Sequence, residues 1–235
     1  MENEKIETLE NQCKALLEIF ETSQCFTAAK KFDLEKVKDV IKKMCSFIVQ
    51  DKQESESLQK WMDENDFWKT PASTKFHGNW ESGLCVHSLL VTVQALRLAP
   101  AFARNYMIST LQEKMEFTAE DVFVSCIAHD FCKSGSYKVE YRNTKDILGN
   151  WTKKSVYKTK DELRNLGHGN ESVLKLLEAM PGFIKRRNVL EAVSRHMGFS
   201  DLSEMESFNY SNFLTNPLVL LIQFADQSAA SWYDC

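Results

Sequence analysis

Apolar residues recur along this chain at helical spacing far more often than at the alternation of a strand. Ile6, Leu9, Cys13, Leu16 and Phe20 fall three or four residues apart, which draws one apolar seam down a helix over about residues 5–22. Asp33 stands just ahead of Val37, Ile41, Met44 and Ile48, so a second helix is predicted over about 34–50 with Asp33 as its cap. Further apolar helical segments are predicted at about 83–98, 119–131, 170–180, 186–197 and 216–231, joined by polar connections rather than by strands. No internal repeat or low-complexity tract interrupts them.

Two polar stretches complete the pattern. From Asp51 to Asp66 there are six acids against two lysines, read as a solvated stretch, and Thr70-Pro71-Ala72-Ser73-Thr74 breaks whatever precedes it. A soft boundary therefore falls near residue 70. Residues 1–70 are expected to form an N-terminal helical segment packed on the body, with a homo-oligomer through the same seam as the alternative, and residues 71–235 the main domain. The connection over about 132–167 has no strong period and reads as a long irregular loop, functional or disordered. Between Phe131 and Arg164 nine basic residues face four acidic ones, a net of +5, with Tyr137, Tyr141, Trp151 and Tyr157 interleaved. Cations suit phosphates and flat rings suit bases. A solvated basic loop whose rings fold back on the core is the plain alternative.

Composition sharpens the fold class. Of 235 residues 43% are hydrophobic, enough for one sizeable core. Eight glycines and four prolines are less than half the usual share of about 12%, too few turn residues for many short strands. An all-α fold is expected. A net charge of −4 excludes a strongly basic nucleic-acid coat, so no stable duplex partner is expected. With no apolar run near 18 residues and no signal-peptide pattern, the expectation is a cytoplasmic protein with no membrane partner. Seven cysteines without a C-x-x-C pair read as reduced thiols, most of them packed in the core.

Ionisable residues nevertheless interrupt the apolar helices. Val122 to Ala128 runs straight into His129-Asp130, Leu218 to Ala225 ends on Asp226, and His87 sits within Leu84 to Val91. An unpaired buried carboxylate costs several kcal/mol or takes up a proton, and only Lys133 stands near either acid as a cation. A divalent metal would answer both. Four of the five histidines, 87, 129, 168 and 196, fall one to each predicted helix or helix start. Mixed imidazole and carboxylate donors suit first-row metals better than calcium.

The order His87, His129-Asp130, Asp226 resembles the HD-domain metal-dependent phosphohydrolases. His129-Asp130-Phe131-Cys132-Lys133 is similar to that family's HD-x-x-K, and His77 to His87 to the H-x-x-x-x-x-G-L-x-x-H stretch of its phosphodiesterase-like branch. Gly167-His168 and His196-Met197-Gly198 resemble the G-H and H-x-G motifs of branches with two metals. The likeness spans about residues 71–231. Phe131 and Cys132 replace glycines and aliphatics and read as packing changes, and Gly169 stands where some relatives carry an acid. No five-stranded OB segment is evident in residues 1–70, where the HD-type exoribonucleases carry one upstream.

The resemblance implies an HD-domain helical bundle holding two divalent ions, of manganese, iron, nickel, cobalt or zinc. His87, His129, Asp130 and Asp226 would take the first, and Asp130, as a bridge, with His168 and His196 the second. Asp130 and Lys133 would carry catalysis by a metal-activated water, Lys133 meeting the phosphoryl oxygens. His77 would donate a proton to the leaving oxygen or contact phosphate, with a surface loop histidine as the alternative. Tyr141 and Arg142 would recognise the rest of a nucleotide, and Glu81 would orient a ligand. The implied activity is hydrolysis of a nucleotide-type phosphomonoester or phosphodiester. A 3′–5′ exonuclease acting on short single-stranded RNA or DNA, and a non-catalytic nucleotide sensor, are the alternatives.

Overall fold

The computed structural model describes residues 2–27, 31–145, 147–160 and 166–233. Helix accounts for 64% of the chain and strand for 9%, so the fold is mostly helical, with one ribbon departing from a strictly all-α design. The helices are α1 (Glu2–Ser23), α2 (Leu34–Ile48), α3 (Lys52–Glu64), α4 (Gly83–Met107), α5 (Ala119–Ala128), α6 (His168–Ala179), α7 (Arg187–Arg195), α8 (Glu204–Phe208), α9 (Tyr210–Phe213) and α10 (Pro217–Tyr233).

The N-terminal helices form as their spacing predicts. Leu9, Cys13 and Leu16 of α1 are buried, with Ile6 and Phe20 packed beside them, and the seam lies against α4 and α2. Asp33 caps α2 by accepting from the Lys36 amide at 3.3 Å, and Val37, Ile41, Met44 and Ile48 are buried. Each such side chain contributes about 1.5–3 kcal/mol by leaving water. One continuous core includes residues from both sides of position 70.

The acidic stretch differs from its reading as solvated. It folds as α3, capped by Asp51 accepting from Gln53 and Glu54, with Ser55, Leu58, Trp61 and Met62 buried. Leu58, Trp61 and Met62 occupy i, i+3 and i+4, and Glu56, Asp63 and Glu64 are exposed, whereas Glu54, one turn before Leu58, turns in and accepts from the Gly182 amide at 2.8 Å; counting charge along the chain averages over both faces.

Helix α4 is the axis of the molecule. Sixteen of its residues are buried, and α10, α5 and α1 all pack on it. Among the described residues it is the one helix long and apolar enough, by composition, to cross a membrane, and most of that stretch is buried inside the fold. Its start is fixed by a close approach. A Cβ on Gly83 would stand 2.0 Å from the Gly78 carbonyl, so only glycine lets the 72–78 loop fold over the helix end. The Ala72 amide bonds that same carbonyl, and Leu84 bonds Thr70.

The connection read as an irregular loop is a hairpin. Strand β1 (Tyr137–Lys145) pairs antiparallel with β2 (Trp151–Thr159) from Tyr137↔Thr159 to Lys145↔Trp151. Tyr137, Val139 and Tyr141 alternate with Lys138, Glu140 and Arg142, a period of two carried by aromatics rather than aliphatics. The notable charges at Asp146, Asp161, Glu162 and Arg164 lie outside the described residues, as does Cys235. Arg186 ties the start of α7 to α5 by bonding the buried acids Glu120 and Asp121 at 2.9 and 3.1 Å.

Candidate metal centre

Five helices and one short turn bring the ionisable residues together. Helix α4 supplies His87 and α10 supplies Asp226, with Nε2 to Oδ1 at 3.0 Å. His129 and His196 each stand one residue beyond the end of their helices, α5 and α7. The last carbonyls of a helix lack intrahelical partners, and both rings use one: Nδ1 of His129 donates to Cys126 at 2.6 Å, and Nδ1 of His196 to Val193 at 2.7 Å. That bond fixes the ring and turns Nε2 inward, the arrangement metal-binding histidines favour. His168 opens α6, where a Cβ on Gly169 would meet the Ser194 carbonyl at 2.0 Å. Glycine there lets α6 close on α7 and brings His168 and His196 to a ring separation of 5.2 Å.

Asp130 lies at the centre, and its two oxygens divide the histidines. Oδ1 meets His168 Nε2 at 2.6 Å and His196 Nε2 at 3.5 Å. Oδ2 meets His129 Nε2 at 3.4 Å, His87 Nε2 at 3.7 Å and the Lys133 ammonium at 2.5 Å. Burial alone would raise the Asp130 carboxyl, but the Lys133 ammonium and the His168 hydrogen bond outweigh it and hold it well below the usual range. For Asp226 burial is likewise outweighed, by His87, and the carboxyl stays ionised. Burial holds His129 neutral. Burial also opposes charge on His168, yet Asp130 and Cys132 push it up to about 10. Lys133 is raised, its burial offset by Asp130.

These donors fit a metal. Two donors bound to one first-row ion at about 2.0–2.3 Å stand about 2.9–3.6 Å apart at neighbouring positions. His87 to Asp226 at 3.0 Å and His87 to His129 at 3.2 Å fall in that range. His87, His129 and Asp226 form one group able to hold an ion, and Asp130, Cys132 and His168 another. The Nε2 of His196 is buried without any hydrogen-bond partner and faces Asp130, a cost of about 1–3 kcal/mol for a site with no ligand.

No protein-family model, curated protein or solved structure matches the chain. The reading of the site therefore rests on its own chemistry.

The structure gathers all six sequence-predicted metal ligands, together with Lys133 and His77. His77 lies on the loop over α4, its ring 4.9 Å from that of His87. Burial, then the neighbouring His87 and Lys133, lowers it to about 4, so it is a neutral imidazole. His77, Asp130, Lys133, His168 and Asp226 open on a cavity of about 240 Å³, with Tyr137 at its rim. Larger clefts between α1 and the end of α4 and between α6 and α7 are lined by no histidine or cysteine among the described residues.

Tyr141 and Arg142 are not among the residues lining that cavity; both are exposed further out along β1. Glu81 is exposed and belongs to neither group of metal donors; burial and then the Glu81 charge raise the Tyr157 hydroxyl. The sequence reading missed Cys132. Taken with Phe131 as a packing change, it faces the site instead, its sulfur 3.3 and 3.5 Å from Nδ1 and Nε2 of His168. Phe131 alone is the packing residue, stacked on Trp61 with centroids 4.4 Å apart. The signal in the sequence was position: Cys132 is the residue between the HD pair and Lys133.

Proposed function

We propose that this protein is a metal-dependent phosphohydrolase of the HD-domain type, cleaving a phosphomonoester or phosphodiester bond of a nucleotide-type substrate. The observation that carries this reading is the partition of the Asp130 oxygens, Oδ1 towards His168 and His196 and Oδ2 towards His87 and His129. That is the arrangement a carboxylate shared by two ions needs. His87, His129, Asp130 and Asp226 would hold one ion, and Asp130, His168 and His196 the other. Bound there, divalent ions supply an activated water and neutralise charge on the phosphoryl oxygens.

The chain's own residues do the rest. Lys133, anchored on Asp130 and facing the cavity, presents a fixed cation to a phosphoryl oxygen. His77, being neutral, suits a hydrogen bond to phosphate better than service as a charged proton donor. The dry wall of α4 and α5 behind the site strengthens each of these contacts.

Metal analysis of the purified protein, joined to a release assay over nucleoside mono-, di- and triphosphates, cyclic dinucleotides and short oligonucleotides, tests the proposal. Asp130→Ala should abolish turnover; full activity in that variant, or a protein that takes up no divalent ion, overturns it.

A second reading, cleavage of short single-stranded RNA or DNA, draws on the hairpin. Its register sets Tyr137, Val139, Tyr141, Trp151 and Tyr157 on one face. Val139 is 52% exposed, and Tyr141 and Trp151 are each 72% exposed. Tyr137, at the cavity rim, begins that face. Lys145, over the Trp151 ring at 5.2 Å, adds a cation at the far end. Stacking surfaces with interleaved cations suit a single strand leading to the site.

A further inference from the structure

The cavity at the metal centre has two chemically different parts. Asp130, Lys133, His168 and Asp226 bring charge to its lining, whereas Ala72, Phe76 and Met197 of the same lining are apolar. Phe76 is 77% exposed and Met197 37%, and neither belongs to the hydrophobic core. Core packing therefore does not account for a phenyl ring that lines the cavity and lies open to solvent at its mouth.

The ring stands on a braced loop. The Phe76 amide donates to the Ser73 hydroxyl at 2.8 Å, and that hydroxyl donates to the His77 carbonyl at 2.8 Å, so a single side chain fixes the backbone of two cavity residues. The Ala72 amide closes the loop on the Gly78 carbonyl at 2.9 Å. A loop ordered beforehand loses less freedom when a ligand arrives. Met197 approaches from a different element, directly after His196 at the end of α7, and its polarisable thioether suits contact with a flat ring.

Size divides a ligand between the two parts. The cavity holds about 240 Å³, below the roughly 300–1,000 Å³ of sites that enclose a whole small molecule. With a phosphate set on Lys133 and its sugar behind it, the remainder of a nucleotide has to lie at the mouth, where Phe76 stands. That remainder is the base, and its flat face is what a phenyl ring stacks on.

We propose that Phe76 is the base-stacking residue of this site and that its ligand is a nucleoside phosphate, the phosphate on Lys133 and the base on the Phe76 ring, with Met197 as a second apolar contact. This rests on the phosphohydrolase reading above and deepens it, because a sugar phosphate lacks the group that the ring recognises. Every base has a π-face, so discrimination among the four is small.

AMP and ribose 5-phosphate, the same phosphoester with and without a base, are the probes. Calorimetry on the full chain as purified measures the affinity for each, with KM in place of Kd where a probe is hydrolysed. AMP should bind at least about tenfold more tightly than ribose 5-phosphate. Phe76→Ala should remove that difference by weakening AMP alone, its unchanged affinity for ribose 5-phosphate showing an intact fold. Phe76→Trp should restore the difference, its added indole emission quenched by AMP and not by ribose 5-phosphate. Equal affinity of the parent chain for both probes, AMP binding untouched by Phe76→Ala, or an equal loss of both probes in that variant overturns the stacking role and leaves the phosphohydrolase reading standing. A parent chain that binds none of AMP, GMP, CMP and UMP overturns both.

Discussion

The Nε2 atoms of His87 and His129 face each other at 3.2 Å inside the fold, both rings fully buried. His129 has committed its Nδ1 proton to the Cys126 carbonyl and is neutral, so its inner nitrogen offers a lone pair. Two imidazoles converging in this way are stabilised by a cation between them. A divalent ion that binds only the folded chain adds about 2.7 kcal/mol at about 100 times its Kd. For a chain of this size that is a rise of about 5–10 °C in Tm. Thermal unfolding after chelation and after zinc, manganese or cobalt is restored measures it. A Tm indifferent to every one of these ions would remove the metal centre.

Lys133 separates holding a metal from using one. Its ammonium contacts Asp130 but also faces the cavity. Lys133→Ala should lower kcat/KM about 10²–10³-fold while the content of bound ion stays near that of the parent chain. Proportional loss of metal and activity would instead make Lys133 a positioning residue for Asp130.

The Asp130–His168 bond sets a pH dependence with a definite sign. His168, at about 10 in the folded metal-free chain, starts from an ordinary value of 6.5, so folding favours its protonated form between those values. The stability this pair contributes is full below about pH 6.5 and is lost as pH rises towards 10. Urea midpoints of the metal-free chain should fall across that window, more steeply than those of His168→Gln. Ion binding runs the opposite way, because metal and proton compete for Nε2: affinity at this site should climb with pH, with proton release seen by calorimetry in buffers of different ionisation enthalpy. Parallel slopes for parent and variant would contradict the assignment.

How much of this was legible in the sequence depended on the period that carried it. The seam Leu9, Cys13 and Leu16 and the stripe Val37, Ile41, Met44 and Ile48 are aliphatic and helical, and they are buried as read. In α3 the period was present but masked by charge, since Leu58, Trp61 and Met62 are its only buried apolar residues. The hairpin alternated too, with tyrosines and valine against lysine, arginine and glutamate, and a reading tuned to aliphatics passed over it. At the site, histidines and acids stood out because they sit in apolar surroundings. Cys132 carried no such contrast, since a cysteine looks at home among Phe131 and the α5 residues; only the turn that sends Phe131 inward reveals where the sulfur points. The reach of Tyr141 and Arg142 could not be read without knowing that the segment is an extended ribbon.

That ribbon supplies the last test. Trp151 and Tyr141 lie on the face that begins at Tyr137 and leads away from the cavity. If a single strand lies along it, each ring removed costs about 1–3 kcal/mol per stacked base, a rise of roughly tenfold in KM for oligonucleotides long enough to reach it. Trp151→Ala should matter only for the longest substrates, because Trp151 pairs with Lys145 at the far end of the ribbon, whereas Tyr141→Ala should matter for shorter ones as well. Binding of such strands should also weaken with salt as phosphate contacts to the ribbon lysines are screened. KM measured against oligonucleotide length for the two variants decides between the readings. A length-dependent penalty ordered from Tyr141 to Trp151 supports the strand. Identical KM values for parent and variants at every length would confine the substrate to the 240 Å³ cavity and leave a small nucleotide as the molecule cleaved.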